Sequence, residues 1–213
     1  MALMVGGFEG TFTPDGPEIV AWSTGTVAQI QAMLQANEAG TIDISDYWSI
    51  GQERTVSSIT WVLTDFNGTT SGGTKYNAII HSKSTLTTGY MNSSNTNSGG
   101  WSSSYMRNTR MANEYSSLDS SFKALIKQVS NISGAGGANN NTTQTTSDYL
   151  WLFSEYEVQG ATTYAGSAEA AKCKQMNYFS LSSENKKKTG SSTTWWLRSP
   201  NVSNSNKIGR AHV

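Results

Sequence analysis

The sequence has a single cysteine, two histidines and no Gly-x-Ser-x-Gly motif in its 213 residues. One cysteine excludes a disulfide framework and a thiolate cluster for a structural metal, so we expect Cys173 to be a small buried thiol. His81 follows two isoleucines, a setting typical of a satisfied histidine at a strand end. Because no pairing of a nucleophile with a base is visible, we expect a non-enzymatic protein without a cofactor and without a bound metal.

Charge is also scarce, since charged residues make up 14% of the chain and the formal net charge is zero at pH 7. The notable basic run, Lys186 to Lys188, is typical of a solvated loop. The clustered basic residues of a nucleic-acid-binding surface are missing. The chain also lacks an apolar stretch of transmembrane length, and residues 1–7 lack the basic region of a signal peptide. We therefore expect synthesis in the cytoplasm, no nucleic-acid partner and no membrane insertion.

Aromatic residues, by contrast, are plentiful, with seven Trp, nine Tyr and six Phe. They supply enough apolar surface for the one folded domain that this chain length favours. Residues 1–21 are dense in glycine and proline, which predicts an irregular N-terminal arm or linker. Residues 22–206 are then the domain. Residues 207–213 back-translate to a common sequencing-library adapter, so we expect them to be read-through and not native sequence.

The first half of the domain predicts one amphipathic helix and several strands. Apolar residues share one face of a helix from Val27 to Ala39, which Thr24 or Thr26 caps and Gly40 stops. The segments that read as strands are residues 42–50, 56–63 and 77–81.

The second half predicts another helix, a long loop and two strands. Apolar residues from Leu118 to Val129 repeat at helical offsets, which indicates a helix packed on a sheet by one side. Residues 134–148 are rich in Gly, Ala, Asn and Thr and predict a loop. The apolar run Tyr149 to Phe153 is typical of a central strand buried on both faces. A strand from Trp195 should end at Pro200. This order indicates an α+β fold.

Five motifs follow one another along the chain and together carry a family resemblance. They are residues 46–51, 89–92, 99–107, 150–160 and the Trp-Trp-Leu-Arg-Ser-Pro motif at 195–200. In this order they resemble a domain of unknown function found in bacterial surface proteins and phage structural proteins. The resemblance covers the chain from about Trp22 to Pro200.

The resemblance implies a C-type-lectin-like fold, in which two helices flank a small, mainly antiparallel sheet and long loops carry the ligand site. The same superfold includes phage receptor-binding proteins and the variable proteins of diversity-generating retroelements, whose variable positions lie near the C-terminus. A ligand site is therefore expected at the end of this chain, although a plain polar turn explains the same residues equally well. The residues expected there are Asn201, Ser203, Asn204, Ser205 and Asn206.

Relatives usually continue to a Gly-Val-Arg-Pro-like ending and a final strand, which the resemblance places near the N-terminal strand. This chain stops before that ending, so we expect the domain to be incomplete at its C-terminus. Loss of the strand leaves unpaired backbone groups on a sheet edge. The sequence therefore predicts poor solubility.

Several motif residues are expected to have structural roles. In a strand, alternate residues face opposite sides, so one of Trp195 and Trp196 belongs to the core. Trp196 is also a candidate platform for a sugar, because flat rings suit the apolar faces of saccharides. Arg198 is expected to stack on an aromatic ring or to pair with Glu155 or Glu157. The residues assigned to structure are Trp48, Trp101, Trp151, Glu155, Trp195 and Arg198.

Glu155 and Glu157 also alternate along the expected strand end, which places both carboxylates on one face. They are candidates for a glycosidase-like pair. Structural ion pairing or loop hydrogen bonding is the favoured role for both. Lectin-type calcium sequences are absent. Aromatic residues in glycine-containing loops are candidate ligand anchors, although one of them, Trp101, is favoured as a pin that holds its loop. The loop aromatics are Trp101, Tyr90, Tyr105 and Tyr164.

The function expected from the resemblance is ligand recognition. We expect a module displayed on a phage virion or a bacterial surface that binds a host-surface glycan or protein through its C-terminal loops. The alternative is a structural or spacer domain of a larger phage or surface protein, which contacts other domains of that protein and has no ligand of its own.

Overall fold

The computed structural model describes residues 1–5, 16–181, 195–205 and 208–211. Lys186 to Lys188 and Asn206, which carry two of the predictions above, lie outside the described residues. The strands are β1 (Ala2–Val5), β2 (Glu53–Val56), β3 (Ile59–Thr69), β4 (Lys75–Ser82), β5 (Ile126–Lys127), β6 (Val129–Gly134), β7 (Thr143–Asp148), β8 (Trp195–Pro200) and β9 (Ile208–Ala211). The α-helices are α1 (Val27–Glu38), α2 (Gly100–Ser103), α3 (Ala112–Ser117), α4 (Ser120–Lys123), α5 (Glu155–Gln159), α6 (Ser167–Ala170) and α7 (Asn177–Leu181). A 3₁₀-helix at Ile44–Asp46 and a π-helix at Met106–Met111 complete the elements.

The main sheet is antiparallel, with its five strands in the order β2-β3-β4-β1-β5. Two hairpins lie beside it, β6 with β7 and β8 with β9. Helix α1 packs on the sheet, and Asn77 of β4 donates to the Leu34 carbonyl at 3.1 Å. Antiparallel strands combined with short helices make this an α+β fold, which confirms the predicted class.

The helix predicted over residues 27–39 is confirmed as α1. Its N-cap is Thr26, whose hydroxyl accepts the Gln29 N–H, while the Gln29 side chain accepts the Thr26 N–H at 2.8 Å. This reciprocal capping box satisfies donors that a helix start leaves without partners. Gly40 follows the helix with φ of 73°, in the left-handed region that favours glycine.

The strand run predicted over residues 56–63 is a hairpin. Strand β2 ends at Val56 and β3 begins at Ile59, with Ser57 and Ser58 at φ of 49° and 68°. Two positive φ values are what a two-residue type I′ turn requires, a turn that Asn-Gly usually signals. The Ser-Ser pair conceals it from a sequence pattern. The strand predicted at 77–81 is confirmed within β4.

The irregular arm predicted over residues 1–21 is wrong for its first residues, because Ala2–Val5 form β1 between β4 and β5. The side chains from Ala2 to Met4 are buried. Ala2 also exchanges backbone hydrogen bonds with Trp151, at 2.6 and 2.9 Å. Burial of four apolar residues in the sheet is favourable, and this gain in free energy outweighs the preference of the following glycines for a loop.

The strand predicted over residues 42–50 is wrong. Asp43 accepts the Ser45 N–H at 2.9 Å and caps the 3₁₀-helix Ile44–Asp46. Ile44 and Trp48 are both buried, and the Trp48 N–H donates to the Ile44 carbonyl at 2.8 Å. Residues four apart share a side in a helical turn, so these apolar residues reach the core without a strand.

The second helix predicted from Leu118 to Val129 is also wrong. Asp119 caps only the single turn of α4, and the chain then extends into β5 and β6. The apolar residues are buried, but by two kinds of backbone in succession. Helical spacing alone does not distinguish these arrangements when the run is short.

The loop predicted over residues 134–148 is shorter than expected, because Thr143–Asp148 pair with β6 as β7. The apolar run Tyr149 to Phe153 is not the central strand, a position that β4 occupies. Its residues from Leu150 to Phe153 are buried, and Trp151 bridges β1 through a single residue pair. These residues are therefore buried because they pack between the sheet and the loops, and not because they form one of its strands.

Candidate functional site

Arg198 is the centre of a buried ionic cluster beneath the loops. Its Nη1 and Nη2 donate to the two carboxylate oxygens of Glu157 at 2.5 and 2.6 Å. Nη1 also donates to the Leu152 carbonyl at 2.9 Å, and Nε donates to Ile132 at 3.2 Å. Burial alone lowers the pKa of Arg198, but the charge and hydrogen bonds of Glu157 outweigh it, so the net pKa is raised. The guanidinium is held charged in the interior.

The two glutamates lie on α5 and not along a strand end, which corrects the predicted geometry. Ser154 caps the helix, and its N–H donates to the Glu157 carboxylate at 2.9 Å. Glu155 accepts the backbone N–H groups of residues 163–165 at 2.7 to 3.3 Å. Both carboxylates are buried and bound to donors of the chain itself. The geometry is that of an ion pair and a loop anchor.

Glu169 is a third buried carboxylate in this region. Its Oε1 accepts the Ser199 hydroxyl at 2.5 Å and its Oε2 accepts the Gly134 N–H at 2.7 Å. Burial raises the pKa of Glu169, while the nearby Arg198 charge opposes that shift. The carboxylate therefore ties the end of β6 to the end of β8 at the point where both strands enter loops.

Two of the tryptophans with a predicted structural role donate hydrogen bonds from their indole N–H groups to distant parts of the chain. Trp48 donates to the Val20 carbonyl at 2.9 Å. Trp101 donates to Asp148 at 3.0 Å, and the other oxygen of that carboxylate accepts Arg107 Nε at 2.6 Å. Both rings are buried. Trp101 therefore fastens α2 to the end of β7.

The remaining tryptophans assigned to structure lie in the aromatic core. Trp151 is fully buried beside β1. Trp195 is buried and contacts the rings of Phe153 and Phe179, with centroids 6.5 and 6.2 Å away. Trp196, the next residue of β8, is half-buried and faces the other way. The strand alternation predicted for this pair is present.

Four loops meet at one surface, which we name the loop face. Its loops are residues 83–99, 135–142, 160–166 and 201–205. The buried side chain of Asn97 joins three of them. Its Nδ2 donates to the carbonyls of Asn201 and Asn204 at 2.9 and 3.0 Å, and its Oδ1 accepts the Gly137 N–H at 2.8 Å. The backbone N–H of Asn97 donates to the Ser205 carbonyl at 2.6 Å.

Backbone hydrogen bonds from Val202 complete the connection between the loops. Its N–H donates to Tyr164 at 3.0 Å, and its carbonyl accepts the Asn139 N–H at 2.7 Å. Gly136 has φ of 72°, and a Cβ there would overlap the Asn97 carbonyl oxygen. The loop face is thus a packed structure held by the Asn97 side chain and by main-chain hydrogen bonds.

The structure brings four of the predicted C-terminal ligand residues to this loop face. Asn201 is buried, and its Oδ1 accepts the Ser203 N–H at 2.8 Å, so its side chain shapes the turn. Ser203 is exposed, whereas Asn204 and Ser205 are half-buried. Trp196, the predicted aromatic platform, donates its indole N–H to the Gly89 carbonyl at 2.9 Å.

Three of the predicted loop aromatics present their rings to solvent. The exposed fractions are 81% for Tyr90, 40% for Tyr105 and 47% for Tyr164. Arg110, whose guanidinium lies 5.6 Å from the Tyr105 ring centroid, is not among the predicted site residues. No local pattern sets Arg110 apart from Arg107, so only the scarcity of basic residues offered a signal.

A cleft of about 480 Å³ lies between the C-terminal end of α1 and the tip of the β3–β4 hairpin. Asn37 donates to Asn67 and Asn77 at 2.7 and 2.8 Å, and Asn77 donates to the Leu34 carbonyl. These amides connect the helix to the sheet.

His81 is buried in the core, whereas the single cysteine, Cys173, is half-buried. His81 Nδ1 lies 2.7 Å from the Thr64 hydroxyl, and its ring contacts Tyr178 and Phe179. Burial raises the pKa of Cys173 to about 11. Over residues 1–5, 16–181 and the described C-terminal segments, no three His, Cys, Asp or Glu side chains converge on a metal position.

Residues 75–212 match the family described as Domain of unknown function (DUF6273). The match includes the loop face and residues 207–212, whose proposed adapter origin stays a prediction. No curated protein and no solved structure matches the chain. In the part of the chain that the structure describes, no helix is long and apolar enough to cross a membrane.

Proposed function

We propose that this chain, which belongs to the family described as Domain of unknown function (DUF6273), is a non-enzymatic ligand-recognition module. It binds a host-surface glycan or protein through the loop face. It acts on a phage virion or a bacterial surface, where other domains of the same assembly are its neighbours.

The observation that carries this proposal is how Asn97 holds the loops. Its side chain bonds to the carbonyls of Asn201 and Asn204 and to the Gly137 N–H, all of which are main-chain groups. A loop fixed through its backbone keeps its shape when outward side chains change. Sites that recognise varied ligands use this combination of a rigid scaffold and variable loop side chains. Ser203 is the exposed residue of this turn.

The ionic cluster below the loops supports the same proposal. The Ser199 hydroxyl accepts a hydrogen bond from the Glu155 N–H at 2.8 Å and donates one to Glu169. These two bonds connect β8, the strand that leads into the last loop, to α5 and to α6. Rigid positioning of this kind reduces the entropy lost when a ligand binds.

We assign the fold, as part of this proposal, to the C-type-lectin-like class. The antiparallel sheet, the short helices and the long loops gathered at one surface support the assignment.

Binding to intact bacteria and to their purified surface polysaccharides tests the proposal. Wild-type chain is compared with Ser203→Arg, which adds bulk at the exposed turn, and with Ala28→Arg, a matched change at an exposed position of α1. We expect wild type and Ala28→Arg to bind the same targets and Ser203→Arg to bind about tenfold more weakly, a loss typical of one disrupted interface contact.

Equal binding by Ser203→Arg and wild type would remove the loop face from consideration. If wild type binds none of the cells, their surface proteins or their polysaccharides, the spacer alternative replaces ligand recognition.

A further inference from the structure

Planar side chains from three separate segments meet at one edge of the loop face. Trp196 donates its indole N–H to the Gly89 carbonyl, and the Arg110 guanidinium lies against the same glycine. A Cβ at Gly89 would lie 3.4 Å from Arg110 Nε, which measures how closely the two groups approach. Tyr105 stacks on Arg110, and Tyr90 projects into solvent next to Gly89. We name these five residues the Arg110 patch.

Arg110 is unusual among the arginines whose side chains are described. Arg54 donates to two carbonyls at 2.6 and 2.9 Å, whereas Arg107 and Arg198 pair with Asp148 and Glu157. Within the described residues, Arg110 has no ion pair, and its buried Nε has no hydrogen-bond acceptor. Arg54 Nε also lacks an acceptor, but the Arg54 guanidinium is held through its Nη1, which donates to both carbonyls. A half-buried guanidinium is costly to leave without an acceptor. An acidic group from another molecule would supply one.

The backbone that carries Arg110 is itself uncommon. Arg107 and Arg110 both belong to the π-helix Met106–Met111. Short π-helical turns are rare and occur frequently at functional sites. Here Arg107 is directed to Asp148 and Arg110 to Tyr105. Glu114, four residues after Arg110, forms no ion pair with it in the described structure, so the guanidinium stays available.

We propose that the Arg110 patch binds the carboxylate of an acidic saccharide, an inference that rests on the proposed recognition function. The guanidinium fork matches a carboxylate in a bidentate geometry. The exposed Tyr90 offers a flat apolar surface to the sugar ring, and Tyr105 holds the guanidinium plane. Tyr, Trp and Arg are also the residues that most often dominate the energy of interfaces.

The test titrates the purified chain with oligomers of galacturonic acid and of sialic acid, beside a neutral oligomer of galactose. We expect an acidic oligomer to bind and the neutral one to bind at least about tenfold more weakly, because one charged contact is lost. Binding should weaken as salt rises from about 0.05 to about 0.5 M, since the contact lies near the surface.

Arg110→Met should remove the preference for an acidic over the neutral oligomer. Tyr90→Ala should weaken the binding of acidic and neutral oligomers alike. Lys123→Met is the matched control, because Lys123 also lies over a tyrosine ring, 5.9 Å from Tyr115, but donates to the Ser116 carbonyl at 3.1 Å. Lys123→Met should bind as wild type does. Thermal melting of each variant shows that it is folded.

Three results would overturn the inference: no binding of either acidic oligomer, an equal loss in Lys123→Met, or equally tight binding of an oligoglutamate peptide that Tyr90→Ala leaves unchanged. The last result would assign the patch to acidic peptides. None of them decides the proposed function, because the Ser203→Arg comparison on cells and polysaccharides is read separately.

Discussion

Arg198 and Glu157 face each other as a bidentate ion pair in the interior, with Nη1 and Nη2 at 2.5 and 2.6 Å from the two carboxylate oxygens. The pair joins β8 to α5, and its two residues are 41 positions apart in the sequence. Both groups have left water, so each depends on the other for its charge to be compensated. The Arg-Ser-Pro part of the last motif thereby fixes the strand that leads into residues 201–205.

Glu157→Gln is expected to destabilise the protein by about 3–5 kcal/mol, because it leaves the Arg198 charge buried without a carboxylate. Chemical denaturation measures the loss. The double variant Glu157→Leu with Arg198→Met should lose less than Glu157→Gln alone. Glu53→Gln is the control, since Glu53 pairs with Lys83 at the surface, and should cost about 0–1 kcal/mol. Equal costs at the two sites would contradict this account.

Asn97→Ala is expected to loosen the loop face. It removes the donor to two carbonyls and the acceptor of the Gly137 N–H, at a cost of about 2 kcal/mol or more. Hydrogen exchange should accelerate at Gly137 and at Ser203. Asn92→Ala removes a less buried amide from the same loop, whose Nδ2 donates to Thr96, and should have a smaller effect. Unchanged exchange in Asn97→Ala would show that the loops hold their shape without this residue.

Glu169→Gln is expected to change how stability depends on pH. Burial raises the pKa of Glu169 above its ordinary value of 4.5, so the folded protein binds this proton more tightly than the unfolded chain. The stability that the group contributes is therefore present below 4.5 and decreases as pH rises through the folded pKa. Glutamine keeps an acceptor for Gly134 and has no such decrease.

The stability of Glu169→Gln relative to wild type should accordingly increase between about pH 4 and about pH 7. Urea denaturation at several pH values measures the difference. A constant difference across this range would mean that the carboxylate does not titrate there.

Thr26→Ala should destabilise the protein by about 1 kcal/mol, because the capping box of α1 is lost. Thr24, the other cap candidate in the sequence, makes no side-chain hydrogen bond in the described structure, so Thr24→Ala should have almost no effect. Thermal unfolding of both variants checks the assignment. A larger loss for Thr24→Ala would place the helix start two residues earlier.

The features that could be predicted from sequence are those that local chemistry decides. Helix α1 has its cap, its apolar face and its stop within one short segment, and β4 is a short apolar run. The alternation of Trp195 and Trp196 also follows from strand geometry alone. For the same reason, four of the predicted ligand residues reach the loop face, since they follow directly after β8.

The features that could not be predicted depend on distant partners. β1 is a strand because β4 and β5 accept it, and the glycines after it gave the opposite signal. The spacing from Leu118 to Val129 fits a helix, yet Asp119 starts only one turn. After that turn, β5 pairs with β1, and Val129 begins the hairpin with β7. Arg110 stands out only when the partners of the other arginines are known.

The position of β1 also determines the order in which the molecule can fold. Strand β1 pairs with β4, with β5 at Ile126 and with Trp151, partners that lie progressively later in the sequence. Contacts between residues so distant in sequence slow folding, because a long stretch of chain must be ordered before they form. The apolar segment Ala2–Val5 therefore has no strand partner until β4 is made, and its second partner follows only at Ile126–Lys127. A nascent chain of this kind is a natural client for chaperones that bind short apolar segments.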